Sequence, residues 1–202
     1  VFATKARFAL MAVGGYGRGE LAPLSDIDLL FVMPQRHKKS DADFVEFILY
    51  MLWDMGLVVG HASRTVHQNI AAAGEDITIR TSLLEMRSIA GDTSVSEQML
   101  STFKHWVANQ SAGYFVEAKL AERDQRHARF GGTRYAVEPN VKDGKGGLRD
   151  LHTLFWISKY AYRLDHVRGV LGAGILRISE ARAFASSQRF LWTVRCFLHQ
   201  HL

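Results

Sequence analysis

Hydrophobic residues in the first part of the chain fall into short runs that end at glycine or proline. Residues 8–13 and 27–33 are two such runs, and residues 57–60 form a shorter third run. Short apolar runs bounded by turn-forming residues are typical of buried strands. We therefore predict three strands in the first 60 residues, with a glycine-rich loop between the first two.

Helix signals alternate with these strands. Serine and aspartate at residues 40–43 favour capping of a helix over residues 41–55, and Gly56 favours its end. Thr65 and Gln68 have the spacing of a capping box, in which each side chain bonds the backbone N–H of the other. This spacing predicts a second, short helix directly after the third strand.

Beyond residue 75 the pattern becomes helical. We predict four helices, over residues 77–90, 94–130, 148–163 and 179–199. A loop rich in glycine and lysine, residues 138–147, separates the second of these helices from the third. The predicted fold class is α+β, with a small α/β lobe at residues 1–75 followed by a helical lobe at residues 76–202.

The composition excludes several classes of protein. The 202 residues are 48% hydrophobic and 22% charged, which is enough apolar material for a substantial core and excludes general disorder. A single cysteine, Cys196, excludes an internal disulfide and fits the reducing cytoplasm. No apolar run approaches the roughly 18 residues of a membrane span, so we expect no membrane association. The chain begins with Val1 rather than methionine and is expected to be a fragment.

The net charge of +5 is unevenly distributed. Residues 119–202 hold 15 lysine and arginine side chains against 7 aspartate and glutamate, so the whole excess lies there. Such a basic surface attracts nucleic acid, nucleotide phosphates or an acidic protein, although a solvated helix face has the same composition. Charge alone does not choose between these interpretations.

Two carboxylates at the start of the second predicted strand are the strongest candidate for chemistry. Asp26 and Asp28 are two residues apart, so their side chains project from one face with Cα atoms about 7 Å apart. Two such carboxylates repel each other unless cations neutralise them, and Mg²⁺ prefers oxygen ligands of this kind. A pair of bound ions can activate an attacking oxygen and stabilise a leaving one at phosphorus.

A glycine-rich loop directly precedes the carboxylates. Gly14, Gly15 and Gly17 lack side chains, so the backbone N–H groups around them can approach phosphate oxygens closely. Arg18 adds a positive fork that suits phosphate, and Ser25 can bond a phosphate or cap the turn. We therefore predict these residues, with Asp26 and Asp28, as a nucleotide site.

Other glycine motifs fit this loop less well. No Gly-Lys-Ser/Thr follows, which excludes a P-loop, and the spacing differs from the G-x-G-x-x-G of dinucleotide-binding folds. The structural alternative is a glycine-rich hairpin whose aspartates cap a turn. The order strand, glycine loop and Ser-Asp-x-Asp strand favours a nucleotidyltransferase site over that alternative.

The run at residues 14–30, G-G-Y-G-R-G-E-L-x-P-x-S-D-I-D-L-L, resembles a known family. It is similar to the nucleotidyltransferase domain of the bacterial PII uridylyltransferase/uridylyl-removing enzymes, which belong to the DNA polymerase β-like superfamily. Three further segments extend the resemblance to essentially the whole chain: residues 60–65, 81–87 and 138–151. The resemblance implies a polymerase β-like lobe followed by a helical lobe.

The resemblance also implies an activity. Members of the family transfer UMP from UTP to a tyrosine of the PII nitrogen-signalling protein and release pyrophosphate. Asp26 and Asp28 would be the Mg²⁺ ligands and catalytic residues, and Gly14 and Gly15 would hold the triphosphate. The full-length enzymes continue into a phosphohydrolase domain and glutamine-sensing domains. A small anionic substrate is therefore expected rather than nucleic acid.

The loop at residues 138–147 offers a second basic motif. Lys142, Lys145 and Arg149 surround the predicted start of a helix, where backbone N–H groups favour anions. We predict that these three residues bind nucleotide or contact a partner. The alternative is a glycine-rich connector that makes a turn before the helix.

One departure from related enzymes concerns a third carboxylate, which polymerase β-like enzymes commonly carry on a later strand. Here the third predicted strand presents Gly60 and His61 instead. Either two carboxylates suffice, or Asp76 or Glu85 approaches from elsewhere. His61 is a candidate general base or a structural hydrogen-bonding residue, and Arg64 is a candidate phosphate ligand or a surface residue.

Two other functions stay open. The site motif does not separate UTP from ATP, so adenylyl transfer to another acceptor is one alternative. A catalytically inactive fold that binds nucleotide or nucleic acid through its basic helical lobe is the other.

Overall fold

The computed structural model describes residues 7–130, 140–164 and 174–201. By internal packing the chain divides into two compact units, Val1–Asn109 and Gln110–Leu202. Strands and helices mix in the first unit, and the described elements of the second unit are helical, which confirms the predicted α+β class. Among the described residues, no helix has both the length and the apolar character needed to cross a membrane.

A four-stranded sheet forms the centre of the first unit. Its strands in chain order are β1 (Ala9–Ala12), β2 (Ile27–Met33), β3 (Val59–Thr65) and β4 (Arg87–Gly91). The spatial order is β3-β2-β1-β4, in which β1 is antiparallel to both of its neighbours and β3 is parallel to β2. The helices of this unit are α1 (Gly14–Gly17), α2 (Lys39–Asp54), α3 (Val66–Glu75), α4 (Ile77–Leu83) and α5 (Thr93–Ala108).

Alternation along β2 separates the core from the candidate site. Leu29, Phe31 and Met33 point to one face of the sheet, where they pack against Val45 and Leu49 of α2. Because successive side chains of a strand point to opposite faces, the residues between them lie on the other face of the sheet. Asp28 is on that other face.

Capping residues fix the helix starts. The predicted capping box before α3 is confirmed: the N–H of Gln68 donates to Thr65 Oγ1 at 3.3 Å, and the N–H of Thr65 donates to Gln68 Oε1 at 2.8 Å. At α5 the N-cap is Asp92, whose Oδ1 accepts the N–H of Ser94 at 2.9 Å, so α5 begins slightly before the predicted Ser94.

Two predicted helices differ from the structure. The helix expected over residues 77–90 ends at Leu83, and residues 87–91 form β4 instead, because they pair with the distant strand β1. The helix expected over residues 94–130 is divided into α5 and α6 (Ala112–Arg129). The break occurs where Ser111 caps α6 by accepting the N–H of Tyr114 at 3.4 Å.

The division between units also differs from the predicted boundary after residue 75. Strand β4 pairs with β1, and α5 packs against β1 and β2, so these later elements belong to the first unit.

The second unit contains α6, α7 (Leu148–Ala161) and α8 (Ile178–Gln200). Helices α6 and α7 pack closely, with the rings of Phe115 and Tyr160 stacked at 3.9 Å between centroids. The last two helices agree with their predicted ranges to within two residues at each end. Part of the predicted loop at 138–147 lies outside the described residues, which resume at Asn140.

Candidate functional site

The two predicted metal ligands stand at the beginning of β2 in the first unit. Asp26 directly precedes the strand and is exposed, whereas Asp28 is its second residue and is half-buried. The backbone carbonyl of Asp28 accepts the N–H of Val13 at 3.1 Å, which attaches the start of the glycine-rich loop to the strand. The start of the loop and Asp28 therefore belong to one local structure.

The carboxylate of Asp28 lies between two glycines. A Cβ atom on Gly14 would stand 2.8 Å from Oδ2 of Asp28, and a Cβ atom on Gly60 would stand 2.9 Å from Oδ1. Both distances are shorter than real carbon–oxygen contacts of this kind. The carboxylate therefore occupies the space that a side chain at residue 14 or residue 60 would fill. Gly14 also has a φ of +57°, which favours glycine.

The glycine-rich loop folds into the single turn α1. Its hydrogen bonds run from the N–H of Gly17 to the carbonyl of Val13 at 3.0 Å and from the N–H of Arg18 to the carbonyl of Gly14 at 3.2 Å. The first N–H groups of a helical turn have no partner within it, so those of Gly14 and Gly15 are donors that the turn itself does not use. Gly14 lies beside Asp28, where the predicted phosphate ligand would lie.

Gly17 has a packing role in the structure. A Cβ atom at this position would stand 2.1 Å from the backbone carbonyl oxygen of Glu85 and 3.1 Å from that of Ala12. The glycine is required because α1 lies directly against these backbones. Its predicted contact with nucleotide stays a prediction.

Arg18 binds carboxylates of the protein. Its guanidinium donates to Glu20 at 3.1 Å and forms a second, short hydrogen bond to Glu85, whose side chain is 1% exposed. The ion pair with Glu85 holds the turn against the segment before β4, while that with Glu20 is local. The Arg18 guanidinium, which the sequence suggested for phosphate, thus contacts two carboxylates of the protein. One of them, Glu85, is a candidate for the third carboxylate.

The other candidate, Asp76, caps α4. Its Oδ1 accepts the N–H of Thr78 at 2.6 Å and that of Ile79 at 3.3 Å. The hydrogen bond from Thr78 is the main cause that lowers the pKa of Asp76 below its ordinary value. Both candidates thus stabilise the fold of the first unit.

Asp26 and Asp28 suit a hard divalent cation without a third acid. Within the described ranges, no three side chains of histidine, cysteine, aspartate or glutamate are grouped to hold a metal ion. Mg²⁺ in phosphoryl-transfer sites commonly uses one or two carboxylates, with waters and substrate phosphates as its other ligands. The narrow space that Gly14 and Gly60 leave around the carboxylate of Asp28 fits such a site.

Ser25, immediately before Asp26, carries a polar atom without a partner. Its Oγ is buried and has no hydrogen bond within the described part of the chain. The alternative that Ser25 caps the turn through its hydroxyl is therefore not what the structure has. A buried hydroxyl costs free energy unless it is bonded, and no described residue offsets that cost here.

A cavity of about 200 Å³ opens beside Asp28 on the same face of the sheet. Its walls come from β2, β3 and α4 and include Gly60, Ala62, Arg64 and Ser82. Sequence reasoning missed Ala62 and Ser82. The alternation along β3 would have placed Gly60, Ala62 and Arg64 on one face, had the strand been extended to Thr65.

The structure separates the two residues of β3 whose roles stayed open. His61 is the register partner of Leu29 and has its ring on the α2 face, 6.0 Å from that of Trp53, although the residue also borders the cavity. This contact favours the structural interpretation of His61. Arg64 is the register partner of Val32 and lines the cavity, and its charge is one of the smaller causes that lower the pKa of Asp76.

The second basic motif lies in the other unit. In the segment before α7 the N–H of Leu148 donates to Val141 and that of Arg149 to Lys142, at 2.9 and 2.8 Å. The N–H of Gly146 donates to the carboxylate of Asp150 at 2.8 Å. The backbone donors at the start of α7 are thus used by the loop itself, which removes one of the reasons for predicting an anion site there.

The side chains of this motif differ in environment. Arg149 pairs with Asp143 at 3.3 Å and lies over the ring of Trp156, whereas Lys142 and Lys145 are exposed. The nucleotide-binding role of these three basic residues stays a prediction.

Asp150 binds the loop to α6. Arg126 and His127 both contact its carboxylate, His127 at 2.9 Å. Burial raises the pKa of Asp150, but the N–H of Gly146 and the contacts from His127 and Arg126 outweigh it, so the pKa is lower than usual. The carboxylate of Asp150 is therefore favoured in its ionised form, in which it holds this loop.

Two family models match the chain. Residues 3–68 match the family model described as nucleotidyltransferase domain, and residues 114–201 match that described as GlnD PII-uridylyltransferase. The resemblance to the PII-uridylyltransferase family is thereby confirmed.

Individual relatives carry the same name. The chain is 54% identical over 193 residues to the bifunctional uridylyltransferase/uridylyl-removing enzyme of Nitrobacter hamburgensis, and 50% identical over 193 residues to that of Rhodospirillum rubrum. Each match covers 96% of the chain and 21% of the relative. The chain therefore spans about a fifth of the length of the curated relatives it matches.

Proposed function

We propose that the chain carries the nucleotidyltransferase site of an enzyme that transfers UMP from UTP to a tyrosine of the PII protein and releases pyrophosphate. The single observation that carries this proposal is the carboxylate of Asp28, held between Gly14 and Gly60 beside a turn with unused N–H groups. The names of the relatives support UTP and PII as the substrates. A cytoplasmic location fits the single cysteine.

The reaction is an in-line displacement at the α-phosphorus. The tyrosine oxygen forms a new bond to phosphorus and loses its proton, while the bond to the bridging oxygen breaks and pyrophosphate leaves. Such transfers need alignment and charge stabilisation more than covalent participation by the protein. Asp26 and Asp28 would hold Mg²⁺, which when bound neutralises phosphate charge and orients the reacting oxygens.

The chain's own groups contribute the remaining contacts. The N–H groups of Gly14 and Gly15 donate to triphosphate oxygens, and the buried Oγ of Ser25 gains a partner by donating to the same group. Lys142, Lys145 and Arg149 are proposed as further contacts to the nucleotide. The carboxylate of Glu85 compensates Arg18, so we assign that arginine to positioning the turn.

Labelled nucleotides test the proposal. The chain and a longer protein that contains it are incubated with Mg²⁺, PII protein and α-labelled UTP or ATP. The site variant combines Asp26→Asn with Asp28→Asn. The matched control, Asp43→Asn with Glu46→Gln, neutralises two exposed acids of α2.

We expect label on PII from UTP, retained in the control variant and lost in the site variant. Label from ATP would support adenylyl transfer instead. An absence of transfer by the longer protein, together with salt-sensitive binding of nucleic acid, would support the inactive binding fold.

A further inference from the structure

Gly60 has no backbone reason to be glycine. It lies inside β3, where glycine weakens a strand because it has no side chain to pack. Its φ is outside the left-handed region that favours glycine. An alanine could therefore adopt the same backbone, and the cause of the missing side chain must lie in what surrounds it.

A single neighbouring atom explains why residue 60 has no side chain. An ideal Cβ on Gly60 would meet a single heavy atom within 4 Å, and that atom is Oδ1 of Asp28 at 2.9 Å. The two residues are direct register partners in the parallel pair of β2 and β3. The carboxylate of Asp28 thus extends sideways over the backbone of the neighbouring strand.

The opposite side of the same carboxylate meets Gly14, whose Cβ would stand 2.8 Å from Oδ2. The two oxygens are therefore bounded by two glycines from different elements. A methyl group on either glycine would meet the carboxylate, so the two missing side chains leave the slot in which it lies.

We propose that Gly60 is a positioning residue, whose missing side chain lets the Asp28 carboxylate take the orientation in which it binds the divalent cation. The proposal deepens the proposed function and rests on it for the role of Asp28. It also gives a reason for the absence of an acid on β3: a side chain at residue 60 would displace the carboxylate that is already there.

The clash involves only the terminal oxygen of the Asp28 side chain, and no backbone atom. In a Gly60→Ala variant the carboxylate can rotate away, so the fold should survive while the orientation changes. We expect the dissociation constant for Mn²⁺, a spectroscopic substitute for Mg²⁺, to rise about tenfold, the usual size of an effect from a residue that orients a metal ligand. The unfolding midpoint should stay close to that of the unsubstituted chain.

The measurement is the electron paramagnetic resonance signal of free Mn²⁺, titrated with the chain alone and with a non-hydrolysable α,β-methylene analogue of UTP. Gly74→Ala is the control, because its added methyl group meets only Trp106 at an ordinary 3.9 Å. We expect its Mn²⁺ affinity to be unchanged.

A second background separates positioning from stability. In an Asp28→Ala chain, adding Gly60→Ala should leave Mn²⁺ affinity unchanged and should not lower the unfolding midpoint, because the carboxylate that Gly60 accommodates is absent and alanine suits a strand better than glycine. Destabilisation in that background would show that the strand itself needs glycine, and would overturn the proposal.

The outcomes also separate this inference from the proposed function. If Asp28→Ala lowers Mn²⁺ affinity and Gly60→Ala does not, the site stands and the role of Gly60 is wrong. If Asp28→Ala leaves Mn²⁺ affinity unchanged, the metal site and the inference both fail.

Discussion

The two glycine-rich segments of the chain use their backbone donors differently. At α1 the N–H groups of Gly14 and Gly15 begin a turn that leaves them without partners inside it, next to Asp28. Before α7 the N–H groups of Gly146 and Leu148 are taken by Asp150 and by a loop carbonyl. Glycines beside basic residues therefore have different backbone surroundings in the two segments, and only the first leaves donors that its own turn does not use.

The largest effect is expected at the first segment. Asp28→Asn keeps the shape of the side chain but halves the carboxylate charge of the proposed metal site. We expect UMP transfer to fall by about 10³-fold, the upper range for loss of one electrostatic stabiliser of a transition state. Single-turnover transfer from labelled UTP measures it. A loss below tenfold would remove Asp28 from the chemistry.

A smaller effect is expected for Gly14→Ala. The added methyl group meets Oδ2 of Asp28 at 2.8 Å, and the φ of +57° adds strain of about 1–2 kcal/mol. We expect about a hundredfold slower transfer, because displacement of a catalytic group by about 1 Å has effects of that size. Transfer rates measure the effect on the reaction, and urea unfolding measures the effect on stability. Unchanged transfer with reduced stability would show that the turn is only structural.

The second segment should respond in substrate affinity. If Lys142 and Lys145 contact nucleotide through their side chains, replacing both by alanine should raise KM for UTP about tenfold and leave kcat unchanged. Steady-state kinetics at several UTP concentrations measures this. The matched control replaces Lys38 and Lys39, two exposed lysines of the first unit. An equal effect in both variants would indicate general charge rather than a site.

The smallest effect on transfer is expected for Asp150→Asn, which should act on stability. The substitution weakens contacts from Arg126, His127 and the N–H of Gly146, and we expect about 1–3 kcal/mol less stability in urea. Transfer at low temperature should be unchanged. A tenfold slower transfer by folded Asp150→Asn would instead assign the loop a part in the reaction.

The same substitution should alter the acid response. The pKa of Asp150 is lowered by folding, so its stabilisation is present above the unfolded-state pKa near 3.9 and is lost as pH falls towards the folded-state value. Stability of the unsubstituted chain should therefore fall more steeply below pH 4 than that of Asp150→Asn. Urea midpoints between pH 3 and 7 test this. Parallel pH profiles would contradict it.

Local signals predicted the local structure well. Strand β2 has its predicted bounds, and Thr65 and Gln68 form the predicted capping box, because both depend on neighbouring residues alone. Strand β4 was missed because all five of its residues are exposed and its pairing partner β1 is far away in sequence. The break at Ser111 was missed because helical periodicity continues on both sides of it.

The candidate site divides in the same way. Asp26 and Asp28 are two residues apart, so the sequence alone revealed the pair. The ion pair of Arg18 with Glu85 joins residues 67 apart, and the slot around Asp28 depends on the register between two strands. Such contacts come from tertiary packing, which spacing along the chain does not encode.

The long span between Arg18 and Glu85 has a consequence for the order of folding. The glycine turn is held in place by a segment that leaves the ribosome 67 residues later, and β1 waits still longer for β4. Contacts that close long loops form late and slow folding. The emerging chain therefore carries both aspartates well before it can position them, and the site is completed only after β4 has joined the sheet.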